Sequence, residues 1–280
     1  MNVRVKAYAK LNLTLAVTGV AGGYHMLDSL VCSVDLFDLI VMKKRKDNLV
    51  TVEMHGQGTE TLPYGQNNAA KAAESYIKTF GTGGADIKIY KNIPVGAGMG
   101  GSSADVSGVL RGMTKLYGDG SEAELKALAD SLGSDTGYML TGGYARLSGR
   151  GDVVQPIDTK LKFNFLLLKP PEGVSTAECY RLYDNAPKVV SGSQNAVDAL
   201  ICGDKAALGK SLCNALYEPA ARLNPDIKRA YDELSAFSPL GVGMTGSGSA
   251  VFALFENADF CAWAKSRYKG KFDCIQLKSI

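Results

Sequence analysis

Hydrophobic residues fall on alternate positions from the start of the chain: Val3, Val5 and Ala7, then Leu11, Leu13, Leu15 and Val17. A period of two marks strands with one covered face. We read a change of face near Ala9–Lys10 and a turn at GVAGGYH, then strand-like runs around Leu30–Leu36, Leu39–Lys43 and Leu49–Met54. NNAAKAAESYIKTF reads as a helix closed by GTGG, and ADIKIYKNI as the next strand. Val106, Val109, Leu110, Met113, Leu116 and Tyr117 recur at helical spacing, which predicts an amphipathic helix of about three to four turns. A second helix opens at Ser121, where Glu124 completes an S-x-x-E capping box, and Gly133 ends it.

LSGRGDVVQPID combines glycines, charges and a proline between two patterned regions and reads as a boundary. Beyond it FNFLLLKP is a buried strand. Helices are expected around Thr176–Asp184, Ala196–Cys202, Lys205–Tyr217 and Pro225–Phe237, and the strands AVFALF and FDCIQLK flank a helix near Ala258–Tyr268. We therefore expect an α+β protein of two domains, residues 1–158 and 159–280.

One stretch, NIPVGAGMGGSSADVSGVL, gives up side chains at Gly96, Gly98, Gly100 and Gly101 immediately before the predicted helix. Gly96, Gly98 and Gly101 satisfy G-x-G-x-x-G, but a second helix follows where a dinucleotide site needs a strand ending in an acid. A P-loop would carry lysine where Ser102 stands. What the two motifs share survives: a glycine-rich turn feeding a helix bares backbone N–H groups to an anion at the positive end of the helix dipole. Ser102 and Ser103 add hydroxyls there, able to donate to phosphate oxygens or to hold Mg2+. The bland alternative is a tight turn with serine caps.

Composition narrows the picture. The 280 residues are 46% hydrophobic and 21% charged, enough to bury a core and remain soluble, and a net charge of +3 does not by itself indicate nucleic acid. Cys32, Cys179, Cys202, Cys213, Cys261 and Cys274 form no C-x-x-C pair, and His25 and His55 are the two histidines, which argues against zinc. Free thiols, no signal peptide and no apolar run of membrane length point to the cytoplasm, and to small-molecule partners without nucleic acid or membrane. Oligomeric state is not readable.

Together with GVGMTGSGSAVFALF and AKLNLTLAVTG, the glycine stretch resembles the GHMP small-molecule kinases. GYHMLDSLVCSVDLFDLI, LGSDTGYMLTGGYARLSGRGD, GVSTAECYRLYD and NALYEPAARLNPDIKRAYDEL resemble the branch of that family that acts on a cytidine-diphosphate-linked polyol, and the likeness runs in order from about Val5 to Phe255. The resemblance implies a two-domain GHMP kinase fold: an N-terminal half like ribosomal protein S5 domain 2, with a left-handed β-α-β crossover, and a ferredoxin-like C-terminal half. It implies ATP with Mg2+, and phosphorylation of the 2-hydroxyl of 4-diphosphocytidyl-2-C-methyl-D-erythritol in the non-mevalonate isoprenoid pathway. The alternatives are a homoserine- or mevalonate-type GHMP kinase and a non-catalytic nucleotide-binding homologue.

The resemblance also implies roles. Lys10 and Asp135 match the family's catalytic pair. An aspartate ionised at neutral pH can receive the acceptor hydroxyl's proton, and a lysine keeps it charged and orients that hydroxyl. Left to themselves, Asp135 would read as a helix N-cap and Lys10 as a solvated strand charge. Pro94, Gly96, Gly98, Gly100, Gly101, Ser102, Ser103 and Asn67 fall on the nucleotide side, with Ser103 the candidate for the metal; Asn68 beside Asn67 leaves the register open. Asn12, Tyr24, His25, Tyr180, Gly246 and Gly248 fall on the substrate side, where a cytosine could stack between Tyr24 and Tyr180 and meet His25 along its edge. The loop reads GGSSADV where the family usually reads GGSSDA.

Overall fold

The computed structural model describes residues 2–56, 59, 67–186 and 192–280. The chain forms two compact units, one of Met1–Ala9, Leu36–Val95 and Gly100–Gly142, the other of Lys10–Asp35, Gly96–Met99 and Gly143–Ile280. Strands β1 (Asn2–Asn12) and β3 (Tyr24–Lys44) run through the division. The two runs expected at 30–36 and 39–43 are thus one strand. The expected change of face at Ala9–Lys10 is also absent: Val3, Val5, Ala7, Ala9 and Leu11 keep one phase, all buried. What changes is the opposite face, where the polar Lys10, Asn12 and Thr14 become buried as well.

In the first unit the end of β3 pairs antiparallel with β5 (Ala85–Tyr90), and β5 pairs parallel with β4 (Val50–His55). Parallel neighbours need a crossover, and α1 (Asn68–Phe80) supplies it, closed by Gly81 in the left-handed conformation. The helix after the glycine stretch, α2 (Gly101–Tyr117), is 17 residues long and so exceeds the expected three to four turns. It lies very close to β3: a Cβ at Gly108 would fall 2.5 Å from Ile40 Cδ1, and one at Gly112 would fall 2.1 Å from Met42 Sδ. Two glycines one turn apart therefore let helix and sheet approach. α3 (Glu122–Leu132) carries the expected capping box, and the short α4 (Thr136–Thr141) follows.

In the second unit β2 (Thr14–Ala21) and the start of β3 form a hairpin with Ala21 opposite Tyr24. The stretch LSGRGDVVQPID, read as a boundary, is itself ordered as most of a hairpin, β6 (Tyr144–Ser148) and β7 (Val153–Ile157), with β6 paired to β3. A second sheet has the order β10 (Gly241–Met244), β11 (Val251–Phe255), β8 (Asn164–Lys169), β12 (Asp273–Lys278), all antiparallel. In chain order that is second, third, first, fourth, the ferredoxin-like arrangement. α5 (Thr176–Asp184), α8 (Tyr217–Leu223), α9 (Pro225–Ser235) and α10 (Ala258–Arg267) contribute Cys179, Tyr183, Ala220, Ile227, Ala230, Leu234, Cys261 and Ala264 to a core with Leu166, Leu168, Val251, Ala253 and Phe255. Truncating one of these leucines costs about 2–5 kcal/mol.

One helix expected over 205–217 is broken. After α6 (Gln194–Cys202), α7 covers only Lys205–Lys210, and the chain then leaves to form the short strand β9 (Cys213–Asn214) beside β2. Asn214 accounts for the break, since its amide donates to the carbonyls of Met244 (2.7 Å) and Gly246 (2.9 Å). Those part-buried acceptors compete successfully with helical continuation. The described cysteines are all free thiols, and no helix among the described residues is long and apolar enough to cross a membrane.

Candidate active site

The first glycine loop has the conformation its composition requires. Gly96, Gly98 and Gly100 have φ of 67°, 73° and 72°, a region that side chains with a Cβ rarely adopt. A Cβ on Gly98 would also lie 2.1 Å from the Thr245 carbonyl oxygen. Gly100 then stands at the N-cap of α2 with no side-chain cap bond. The first N–H groups of a helix lack intrahelical partners, so those of α2 are open to an anion. Ser102 is exposed and Ser103 half-buried on this first turn. Pro94 lies on the way into the loop.

The two asparagines have different partners. Asn67 is the N-cap of α1: its Oδ1 accepts from Ala69 N at 2.9 Å and its amide reaches Met54 Sδ. Asn68 instead donates to Ser102 Oγ at 3.0 Å. Below the loop lies a buried ionic group. Lys91 Nζ donates to Asp38 Oδ2 and, at 2.6 Å, to Asp105 Oδ2. Burial raises the pKa of Asp105 against the pull of Lys91. Burial pulls the Lys91 pKa down, but the attraction of Asp105 and Asp38 leaves it raised. Geometry rather than charge balance ties Asp105 to Lys91, through Oδ2.

Asp135 stands at the N-cap of α4, half-buried, with its carbonyl accepting from Met139 N at 3.0 Å. Its side chain makes no capping bond, so the N-cap reading does not account for the carboxylate. Asp135 belongs to the first unit, with Asn67, Pro94 and Gly100 to Ser103.

In the second unit Lys10 is 4% exposed, which removes the solvated-charge reading. Its Nζ donates to Asn12 Oδ1, and its backbone N–H donates to the Met99 carbonyl at 3.1 Å. Asn12 Oδ1 also accepts from Gly246 N at 3.0 Å, and Asn12 Nδ2 donates to Ser29 Oγ at 2.9 Å. Thr245, fully buried, accepts from Asn12 N at 3.1 Å and donates to the Gly98 carbonyl at 3.1 Å. Lys10, Asn12, the first loop's Gly98 and the second glycine loop are therefore one hydrogen-bonded assembly. Gly246 and Gly248 have φ of 58° and 87°, and the N–H of Gly248 goes to the Thr245 carbonyl at 3.0 Å.

His25, Tyr180 and Tyr183 form a separate aromatic group in this unit. His25 stacks on Tyr180 with ring centroids 4.4 Å apart and 22° between planes, and Tyr183 meets its edge. His25 Nε2 lies 2.9 Å from Asp184 Oδ1. Tyr180, Tyr183 and Asp184 reach it because three- and four-residue spacing on α5 puts them on one face. Tyr24 is 57% exposed, and the Arg150 guanidinium lies 4.9 Å from its ring centroid. Sequence reasoning missed Thr245, Asp184, Lys91 and Arg150. Helical spacing from Tyr180 could have found Asp184. Arg150 was hidden in a stretch taken for a boundary.

Magnesium usually takes one or two protein ligands and fills its shell with water and phosphate oxygens. Among the described residues no cluster of three His, Cys, Asp or Glu side chains stands ready for a metal. A hydroxyl such as Ser103, on a helix start without a side-chain cap, fits that sparse donor set.

The sequence matches the family models described as GHMP kinases N terminal domain over residues 67–145 and GHMP kinases C terminal over 196–261. It is 36% identical over 270 residues to the 4-diphosphocytidyl-2-C-methyl-D-erythritol kinase of Caldicellulosiruptor saccharolyticus, covering 95% of this chain and 92% of that one. A crystal structure of 4-(cytidine 5'-diphospho)-2C-methyl-D-erythritol kinase superposes with a TM-score of 0.83 at 29% identity, covering 99% of each chain. Homoserine kinase from Cytophaga hutchinsonii superposes at 0.77 with 18% identity, covering 100% of this chain and 94% of that one, a likeness of fold alone.

Proposed function

The chain belongs to the 4-diphosphocytidyl-2-C-methyl-D-erythritol kinases, a branch of the GHMP kinase family, and from that premise we propose that it transfers the γ-phosphoryl group of ATP to the 2-hydroxyl of 4-diphosphocytidyl-2-C-methyl-D-erythritol, in the non-mevalonate isoprenoid pathway. The observation that carries the mechanism is the start of α2: a glycine loop with left-handed φ values feeding a helix whose N-cap, Gly100, makes no side-chain cap bond. The phosphate tail of ATP is the ligand for those N–H groups, with the helix dipole favouring its negative charge.

Phosphoryl transfer asks the protein mainly for alignment and charge stabilisation. The acceptor oxygen forms the new bond to the γ-phosphorus as the bond to the β,γ-bridging oxygen breaks, and ADP leaves. Asp135 receives the acceptor's proton. Lys10, buried and held by Asn12, orients the acceptor hydroxyl. Ser103 would hold Mg2+, which when bound neutralises charge on the phosphate oxygens. Ser102, oriented by Asn68, donates to a phosphate oxygen.

Tyr24, His25 and Tyr180 hold the cytosine. With Nε2 engaged by Asp184, Nδ1 is the His25 atom that meets the base edge. Asn12, Gly246 and Gly248 act on the substrate side by shaping the backbone around Lys10. Along the sequence we assign residues 1–158 and 159–280 to the two GHMP domains, a division distinct from that into compact units, and the cytoplasm is the compartment that suits free thiols.

ADP release from Mg-ATP in the presence of the cytidylyl substrate, homoserine, mevalonate or galactose tests this. Turnover is expected with the cytidylyl substrate alone. Turnover confined to homoserine would overturn the proposal, because the aromatic group around His25 would then have no base to hold.

A further inference from the structure

We propose that Asp38, Lys91 and Asp105 form a buried clip that fixes the two ends of the first glycine loop, with Asp105 the positioning residue that ties α2 to it. This deepens the assignment of that loop to ATP. Asp38 in β3 is fully buried, and its Oδ1 accepts the N–H groups of Asn92 (2.6 Å) and Ile93 (2.9 Å), where the chain leaves β5 and enters the loop. Its Oδ2 accepts from Lys91. The same ammonium reaches Asp105, on the second turn of α2, where the chain has left the loop. A Cβ on Gly101 would lie 3.5 Å from Lys91 Nζ and 3.2 Å from Ile93 Cγ2, so the floor of the loop rests on the clip.

The balance of charge argues that the clip serves position rather than stability. Two carboxylates face one ammonium, and Asp105 Oδ1 is buried without a hydrogen-bond partner among the described residues. A buried ion group of this kind is a poor stabiliser compared with apolar side chains of the same volume, and an orphaned oxygen worsens it. Asp38 and Lys91 would already neutralise each other without Asp105. What Asp105 adds is the connection from that pair to the helix whose N-terminus faces the phosphates. Displacements of about 1 Å in such a positioning element can lower rates by about 100-fold.

Hydrogen exchange on the unliganded chain, compared across Asp105→Leu and Asp105→Asn, separates the two roles without any nucleotide. For Asp105→Leu the expected result is exchange about tenfold faster at the amides of Asn92, Ile93 and Ala104 to Gly108, with the thermal midpoint unchanged or higher. Asp105→Asn, whose amide oxygen still accepts from Lys91, retains slow exchange. In ATP titrations the leucine variant binds about tenfold more weakly and the asparagine variant as wild type. If the leucine variant does not fold, Asp105→Ser, too short to reach Lys91, must show the same contrast with asparagine. Unchanged exchange at those amides with a lowered midpoint would make the trio purely structural and overturn the proposal. Wild-type protein that fails to bind ATP would overturn the kinase assignment of the loop instead, and leaves the exchange result to judge the clip.

Discussion

The two glycine-rich loops have similar composition and opposite uses. GAGMGGSS feeds a helix, and the N–H groups at the start of α2 have no side-chain cap. TGSGS feeds strand β11, and its N–H groups are engaged by protein: Gly246 donates to Asn12, Gly248 to Thr245, Ser249 to the Gly96 carbonyl at 3.1 Å and Ala250 to the Ala97 carbonyl at 3.3 Å. The second loop thus supports the first. Glycine density marks a close approach of backbone, but the element that follows determines what approaches. A helix start presents several converging donors to an anion, whereas a strand start pairs its donors with neighbouring chain.

The sharpest break of this comparison lies outside both loops. If the loops bind and position while Asp135 takes the proton, Asp135→Asn should lower kcat by about 10²–10⁴ with nucleotide affinity unchanged, measured by ADP release and by nucleotide titration. Equal losses in both would make Asp135 structural. Next in size, Gly98→Ala forces a side chain into a left-handed position 2.1 Å from the Thr245 carbonyl. A stability loss of about 2–4 kcal/mol in urea unfolding, together with weakened ATP binding, is expected.

The supporting loop should yield a smaller, chemically specific effect. Thr245→Val keeps the shape and removes the hydroxyl that joins Asn12 to Gly98. We expect kcat/KM to fall about tenfold, consistent with about 1.4 kcal/mol, and Thr245→Ser to restore most of it. No difference between valine and serine would sever the proposed link between the loops.

The smallest effect concerns the far end of the same network. Asn12 leads through Ser29, Thr14 and Ser193 to Asp28, which is paired with Arg146 at 2.8 Å. Burial alone would raise the Asp28 pKa, but its bonds to Arg146 and Ser193 leave it below the usual range. A carboxyl lowered in the folded state adds stability above its unfolded pKa of about 4, and that contribution is lost as pH falls through the folded value. The thermal midpoints of wild type and Arg146→Met should therefore differ at pH 7 and converge in acid.

Much of the local structure was legible. Ser121 and Glu124 announced α3, Gly81 ended α1, and α5 spans Thr176–Asp184 as its spacing predicted. The missed features share a cause. Lys205–Tyr217 carries helix-forming residues, yet the chain bends where Asn214 finds carbonyls of the second loop more than two dozen residues away in sequence. β6 and β7 were obscured because glycines and charges that resemble a linker also make a hairpin turn. Ala9–Lys10 suggested a change of face because alternation cannot reveal that both faces of one strand are covered.

The sequence by itself determined the family, the kinase chemistry and the glycine loop ahead of a helix, since residue type and short spacing carry those features. Only the tertiary structure decided that Lys10 is buried on Asn12, that Asn67 caps a helix while Asn68 reaches Ser102, and that Asp105 turns to Lys91. The Asn68–Ser102 and Asp105–Lys91 bonds join residues distant in sequence, and Lys10 is buried by what covers its face of β1 rather than by its neighbours along the chain. Burial and the competition among donors and acceptors select such pairings, and both exist only once the chain has folded.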